Sequence, residues 1–121
     1  MASVLIATDD AALAHILWSE IEGMGFEALW EVAGHTAFDT AIAHQPSVVL
    51  LDVNLPVHTG LELAALLRAD PDLPRGLPVF LLTDDAVEPH TLERNGVTDV
   101  FPKTHDAAML RELVVAAVHT V

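Results

Sequence analysis

The chain has 121 residues, enough for one domain with a single core, and 52% of them are hydrophobic. Asp and Glu number 18 against 5 Lys and Arg, and the formal net charge of −13 argues against direct binding of nucleic acid. The absence of cysteine excludes disulfides and thiolate metal sites. There is no apolar run of membrane-spanning length and no basic signal segment, so we expect a cytoplasmic protein without membrane contact.

Continuous apolar stretches alternate along the chain with stretches of helical periodicity. Strands are predicted at residues 4–8, 26–32, 48–52, 77–83 and 97–103, and helices at residues 11–24, 36–44, 61–67 and 106–118. Within residues 86–95, Pro89 makes any helix short or marks its start, and Gly96 ends it. This alternation predicts one α/β domain over residues 1–121, a parallel sheet with helices on both faces.

The third strand ends on a charge. Four aliphatic residues, 48–51, precede Asp52, and the segment is bounded by Pro46 and Pro56. A carboxylate at the end of a buried strand is costly unless it is paired. Asp52 is therefore either a structural cap or the centre of a site.

Other strands also end on polar residues. Asp9 and Asp10 follow the first strand, Thr83 ends the fourth and Lys103 ends the fifth. In an open parallel sheet these ends share one edge, where ligands bind. Carboxylates there can hold Mg²⁺, a hydroxyl can donate to an anionic oxygen, and a lysine can neutralise a phosphoryl group. The set predicts phosphoryl transfer with Asp52 as the nucleophile.

The same residues carry a resemblance to a known family. The pieces are residues 4–10, the pattern Asp52-x-x-x-Pro56-x-x-x-Gly60, residues 81–83, and residues 101–103. In this order and spacing the chain resembles the receiver domain of two-component response regulators, the CheY-like family. The resemblance covers essentially the whole sequence.

The resemblance implies a flavodoxin-like, doubly wound five-stranded parallel sheet with strand order 2-1-3-4-5. It also implies Mg²⁺-dependent phosphorylation of Asp52 by a sensor histidine kinase or a histidine phosphotransfer protein, with the backbone carbonyl of Asn54 completing the metal shell. A downstream protein target, and a homodimer as one further option, follow from the same likeness. The chain is expected to be a single receiver domain with no output domain.

The two acids that the family carries after its first strand leave two registers open. In the one we favour, Asp9 is the direct metal ligand, Thr8 takes the place of the first acid, and Asp10 caps the first helix. In the other, Asp9 and Asp10 are the acid pair. The first register supplies one carboxylate fewer and predicts weaker binding of Mg²⁺.

Three further positions depart from the family pattern. Val100 replaces the switch aromatic, and Phe101, one residue later, should point to the opposite face of the sheet. Thr104 stands where the family has a cis proline, and a cis peptide bond before threonine would cost about 3 kcal/mol. Asp84 adds negative charge where the family has a small residue. These departures motivate an alternative, a pseudo-receiver that binds proteins independently of phosphorylation.

Two other classes share part of the pattern. A phosphatase of the haloacid dehalogenase type needs a second Asp two residues after the nucleophile, where this chain has Asn54. A flavodoxin-type flavin binder needs a Ser/Thr/Gly-rich phosphate loop after the first strand, where this chain carries acids. The seven histidines show no spacing typical of zinc sites and are expected on the solvated surface, with an approach to the site as the alternative for His58 and His105. Trp18, beside the apolar stripe of the first helix, either packs or contacts a partner.

Overall fold

The computed structural model describes residues 2–103 and 107–119. Strands and helices alternate through these residues as the sequence predicts. The strands are β1 (Ser3–Ala7), β2 (Glu27–Glu31), β3 (Val48–Asp52), β4 (Val79–Leu82) and β5 (Asp99–Phe101). The helices are α1 (Ala11–Gly23), α2 (Gly34–His44), α3 (Gly60–Ala69), α4 (Pro89–Arg94) and α5 (Ala107–Val118). None of the helices in the described part of the chain is long and apolar enough to cross a membrane.

The five strands form one parallel sheet in the order β2-β1-β3-β4-β5, which confirms the predicted order. Every residue of β1, β3 and β4 is buried, whereas β2 and β5, at the two edges, are partly exposed. Central strands that are covered on both faces explain why the sequence shows continuous apolar runs rather than alternation there.

Successive side chains of each strand enter two different cores, one on each face of the sheet. The core beneath α2 and α3 contains Leu5, Leu51 and Leu81, and the core beneath α1 and α5 contains Ile6 and Leu50. Helices therefore cover both faces, as predicted.

The last strand shows the same division at the position of the switch aromatic. Phe101 is buried in the core beneath α1 and α5, whereas Val100 packs partly buried against the opposite core. The prediction that these neighbours point to opposite faces is confirmed. Phe101 therefore does not replace an aromatic side chain at position 100.

Several boundaries differ from the predicted ones by a few residues. β4 and β5 are shorter than predicted, and residues 74–77 form a turn in which Leu77 N donates to Pro74 O. α2 begins two residues early, at Gly34, where His58 packs so closely that a β-carbon on Gly34 would lie 2.7 Å from His58 Cβ. α4 begins at Pro89, as predicted, and has six residues. The predicted start of the last helix, Asp106, lies outside the described residues.

The end of α3 is tied to the turn that precedes β5. Arg68 donates from Nε and Nη2 to the carbonyl oxygen of Gly96, at 3.1 and 2.7 Å, and from Nη1 to that of Arg75, at 2.7 Å. Partial burial lowers the pKa of Arg68, because desolvation disfavours its charged form. These bonds fix the path of the chain into β5, the strand that leads to Lys103.

Candidate functional site

Asp52 lies at the carboxyl end of β3 and is only 2% exposed. Its Oδ1 lies 2.7 Å from Lys103 Nζ and accepts a hydrogen bond from Asn54 N at 2.9 Å. Its Oδ2 accepts a hydrogen bond from Thr8 Oγ1 at 2.7 Å. Three donors, one of them charged, compensate for the burial of the carboxylate. The side chains that meet here come from the ends of β1, β3 and β5.

Lys103 follows β5, and its side chain is 24% exposed, so the ammonium group reaches inward from the edge of the sheet. The backbone N of Lys103 donates to Asp84 Oδ1 at 2.8 Å. The Asp84 carboxylate thus links the loop after β4 to the residue that pairs with Asp52. That its negative charge opposes an incoming phosphoryl group stays a prediction.

Thr8 is fully buried, whereas Asp9 and Asp10 are exposed. The Oγ1 atom of Thr8 accepts from Asp10 N at 3.1 Å, and Asp10 Oδ1 accepts from Leu13 N at 3.2 Å as the N-cap of α1. Asp10 thus has the capping role of the favoured register, and Thr8 occupies the place beside Asp52. A role of Asp10 as a metal ligand stays a prediction.

Thr83 follows β4 and is buried. Its backbone N donates to Phe101 O at 3.0 Å, and its Oγ1 accepts from Asp85 N at 3.1 Å. The same local bond, from the backbone N two residues later to a side-chain oxygen, occurs at Thr8 and at Asp52. We refer to these three bonds, at Thr8, Asp52 and Thr83, as the strand-end turns. They fix three polar side chains at one edge of the sheet.

The possible metal ligands at this edge are oxygen atoms, which Mg²⁺ prefers, but few of them belong to carboxylates. Within residues 2–103 and 107–119, no three His, Cys, Asp or Glu residues are grouped so that they could hold a metal ion, so Asp9, Asp10 and Asp52 form no such group. The carboxylates of Asp9 and Asp52 and the carbonyl of Asn54 are hard oxygen donors, which suit Mg²⁺. Such a set fits the ion and matches the favoured register, in which Asp9 and Asp52 are the carboxylate ligands and Asp10 caps α1.

A tryptophan outside the predicted site also contacts this edge. Trp30 Nε1 donates to the carbonyl oxygen of Thr8 at 2.9 Å. The Trp30 ring lies 6.0 Å from that of His15 and shares a groove with Ala14 and Trp18. In the sequence, Trp30 is recognisable only as an aromatic residue of the strand that pairs with β1, and this does not indicate a hydrogen bond.

For His58 and His105 the sequence leaves an approach to the site open as the alternative to a surface position. His58 packs against Gly34 and lines a cavity of about 180 Å³ together with His35, Phe38, Asp39 and Leu66. Within the described residues, the Asp52 carboxylate is bonded to Thr8, Asn54 and Lys103, and His58 is not among its partners. His105 and Thr104 lie outside the described residues.

Comparisons of the sequence and of the fold with known proteins identify the same family. The family model of the response regulator receiver domain matches residues 4–115. The chain is 34% identical over 86 residues to the polar-differentiation response regulator DivK of Brucella ovis, covering 71% of this chain and 69% of that protein. The chemotaxis response regulator CheY4 of Vibrio cholerae has a similar structure, with a TM-score of 0.89, 23% identity and coverage of 97% and 98%.

A second solved structure of similar fold holds a metal ion. It is the receiver domain of a sensor histidine kinase from Pseudomonas aeruginosa, and it has a magnesium ion coordinated in its active-site cleft. It superimposes with a TM-score of 0.87 at 20% identity and covers 98% of both chains. At these identities the two structures support the fold, and the family is shown by the sequence match.

Proposed function

Since this chain belongs to the response regulator receiver domain family, we propose that Asp52 is a phosphoacceptor in two-component signalling. The observation that carries the proposal is the buried Asp52 carboxylate at the end of β3, paired with Lys103 at 2.7 Å. The donor would be the phosphohistidine of a sensor histidine kinase or of a histidine phosphotransfer protein.

In the proposed reaction a carboxylate oxygen of Asp52 forms a bond to phosphorus as the bond from phosphorus to the histidine nitrogen breaks. The product is an aspartyl phosphate, and the imidazole leaves. Lys103 offsets negative charge on the acceptor and on the transferred group. The Thr83 hydroxyl, whose oxygen accepts from Asp85 N, donates a hydrogen bond to a phosphoryl oxygen and keeps its proton.

The metal site that we propose consists of Asp9, Asp52 and the backbone carbonyl of Asn54. Mg²⁺ bound there would offset the charge that builds up between a carboxylate and a dianionic phosphoryl group. Asp10 is left out of this set because its carboxylate caps α1.

The partners that we propose are a histidine kinase or phosphotransfer protein, which supplies the phosphoryl group, and a downstream protein target. With a net charge of −13, the chain suits partners that present a basic surface. We place this exchange in the cytoplasm and retain a homodimer as a further proposal.

Phosphate incorporation at Asp52 tests the proposal. The purified protein is incubated with acetyl phosphate and Mg²⁺, and the added mass is located by mass spectrometry of the intact chain. Asp52→Asn should abolish incorporation, whereas Asp39→Asn, which changes an exposed carboxylate on α2, should leave it unchanged. Incorporation that survives Asp52→Asn rules the proposal out.

One observation favours a second candidate, a pseudo-receiver that binds a partner without phosphorylation. The side chain at position 100 is a partly buried valine, so the aromatic switch of the family has no counterpart at that position. A protein that takes up no phosphate from acetyl phosphate or from a phosphohistidine donor, and whose NMR spectrum beryllofluoride with Mg²⁺ leaves unchanged, would support this alternative.

A further inference from the structure

The buried hydroxyl of Thr8 both accepts and donates a hydrogen bond. Its oxygen accepts from Asp10 N at 3.1 Å, and its single proton is donated to Asp52 Oδ2 at 2.7 Å. Because Thr8 and Asp52 are both almost fully buried, this bond lies where water competes little. Thr8 is thus held in one orientation with its proton directed at the acceptor carboxylate.

The two oxygens of Asp52 are restrained from opposite sides. Lys103 Nζ and Asn54 N hold Oδ1, and Thr8 Oγ1 holds Oδ2. All three restraints come from this chain's own groups. The carboxylate is therefore oriented before any ligand arrives.

The charges of Asp52 and Lys103 also favour a hydroxyl as the neighbour of the carboxylate. Asp52 and Lys103 together carry no net charge, and Thr8 adds none. An acid at position 8 would repel the Asp52 carboxylate and attract a cation, whereas a hydroxyl stabilises that carboxylate by itself.

We infer that Thr8 is a positioning residue, which orients Asp52 in the metal-free protein. At the same time it gives the site a lower affinity for Mg²⁺ than an acid at position 8 would give. This inference rests on the proposed function, in which Asp52 is the acceptor. It goes beyond that function by assigning to one hydroxyl both the restraint of the acceptor and the weakness of the metal site.

Two NMR signals report on the site without phosphorylation. The indole N–H of Trp30 donates to the Thr8 carbonyl, and the backbone N–H of Asn54 donates to Asp52 Oδ1. The Trp30 signal is assigned by its loss in Trp30→Phe. Both signals can be followed in the full chain, with and without MgCl₂.

The first comparison concerns the affinity for Mg²⁺. Thr8→Asp should lower the Mg²⁺ concentration at the midpoint of the titration by on the order of tenfold, because a further carboxylate strengthens binding of a hard cation. Thr8→Ser, which keeps the hydroxyl, should have the midpoint of the unchanged protein. Thr8→Asp should also melt at a lower temperature without Mg²⁺ and regain stability as Mg²⁺ is added, since a ligand stabilises the state that binds it.

The second comparison concerns the orientation of Asp52 and adds no charge. Thr8→Val has nearly the shape of threonine but no hydroxyl, so the Asn54 N–H signal should shift in the metal-free protein. Thr8→Ser should restore that signal to its original position. This pair of variants decides the positioning role even where Thr8→Asp does not fold.

Two results would overturn the inference: an Asn54 signal that stays in place in Thr8→Val, or a Thr8→Asp protein that folds and binds Mg²⁺ no more tightly than the unchanged protein. Its failure is distinguishable from failure of the proposed function. Phosphate incorporation at Asp52 with no effect of Thr8 variants removes the inference alone. Absence of incorporation together with the predicted Mg²⁺ and NMR changes removes the phosphoacceptor role alone.

Discussion

Gly60 lies directly against the backbone of Asp52, so that a β-carbon at position 60 would be 2.5 Å from the Asp52 carbonyl oxygen. The same atom would be 2.8 Å from Leu81 Cδ1, and Gly60 N donates to Val53 O at 3.1 Å. The start of α3 is therefore fixed against the end of β3, and no side chain fits between them.

We expect Gly60→Ala to destabilise the fold by about 1–3 kcal/mol, because the backbone that carries Asp52 must move to accept the methyl group. The free energy of unfolding is measured by urea denaturation followed by circular dichroism. Gly23→Ala, at the end of α1, where a β-carbon meets nothing within 4 Å, is the matched control and should be neutral or slightly stabilising. Equal stability of Gly60→Ala and the unchanged protein would contradict the close approach.

Removal of the indole donor of Trp30 should be measurable. Trp30→Phe keeps an aromatic ring but loses the hydrogen bond to the Thr8 carbonyl, which should cost about 0.5–1.5 kcal/mol in the free energy of unfolding. Trp18→Phe is the control: the Trp18 side chain is 39% exposed, and this change should alter the free energy of unfolding by less than about 0.5 kcal/mol. The two variants are compared by thermal unfolding under identical conditions, and equal effects would argue against the bond.

Val57 adopts a backbone conformation that suits glycine better than valine. Its φ is +74° and its side chain is 69% exposed, in the loop between Asp52 and α3. Left-handed backbone costs an L-residue about 1–2 kcal/mol, and a β-branched side chain is poorly suited to it. The exposed side chain has little burial to offset this cost.

Val57→Gly should therefore stabilise the protein by about 0.5–1 kcal/mol, even though glycine loses more backbone entropy on folding. Val32→Gly is the control, because Val32 is also exposed but has no positive φ, and that change should destabilise by a similar amount. Urea denaturation measures both. A loss of stability in both variants would show that φ at Val57 carries no strain.

The start of α3 should depend on pH through Glu62. Hydrogen bonding to Thr59, chiefly to its backbone N–H, lowers the pKa of Glu62 below its ordinary value of 4.5. Thr59 N donates to Glu62 Oε1, and Glu62 N donates to Thr59 Oγ1, so the two residues form a capping box. A carboxyl whose pKa is lowered by folding stabilises the protein above its unfolded pKa. That contribution is lost as the pH falls through the lower, folded value.

Glu62→Gln should therefore have a lower Tm than the unchanged protein near pH 6, and the difference should shrink as the pH falls below about 4. Glu22→Gln, on the exposed surface of α1, is the control and should show no such convergence. A Tm difference for Glu62→Gln that stays constant between pH 3 and 7 would contradict the role of the ionised carboxylate.

The sequence predicts the alternation of strands and helices and the edge at which Asp52 and Lys103 meet, because apolar periodicity and polar residues at strand ends are local features. The sheet order is implied by the resemblance to the receiver family. The separation of Val100 and Phe101 is also predictable, because adjacent residues of a strand alternate between faces.

The bond from Thr8 to Asp52 could not be predicted in the same way. It depends on the register between β1 and β3 and on one side-chain rotamer, whereas the sequence marks Thr8 only as a missing acid. The contact of Trp30 with the Thr8 carbonyl likewise depends on the pairing of β1 with β2. The position of Arg68 between two loops depends on the relative placement of α3 and the turn before β5.

The strand-end turns have a thermodynamic consequence. Thr8, Asp52 and Thr83 each have a side-chain oxygen fixed by a backbone N–H of their own loop, so their rotamers are ordered when the chain folds. The conformational entropy of these side chains is therefore lost during folding, and little of it remains to be lost when an anion or a partner arrives. A site of this kind reduces the stability of the free protein slightly and binds its ligand with a smaller entropic penalty.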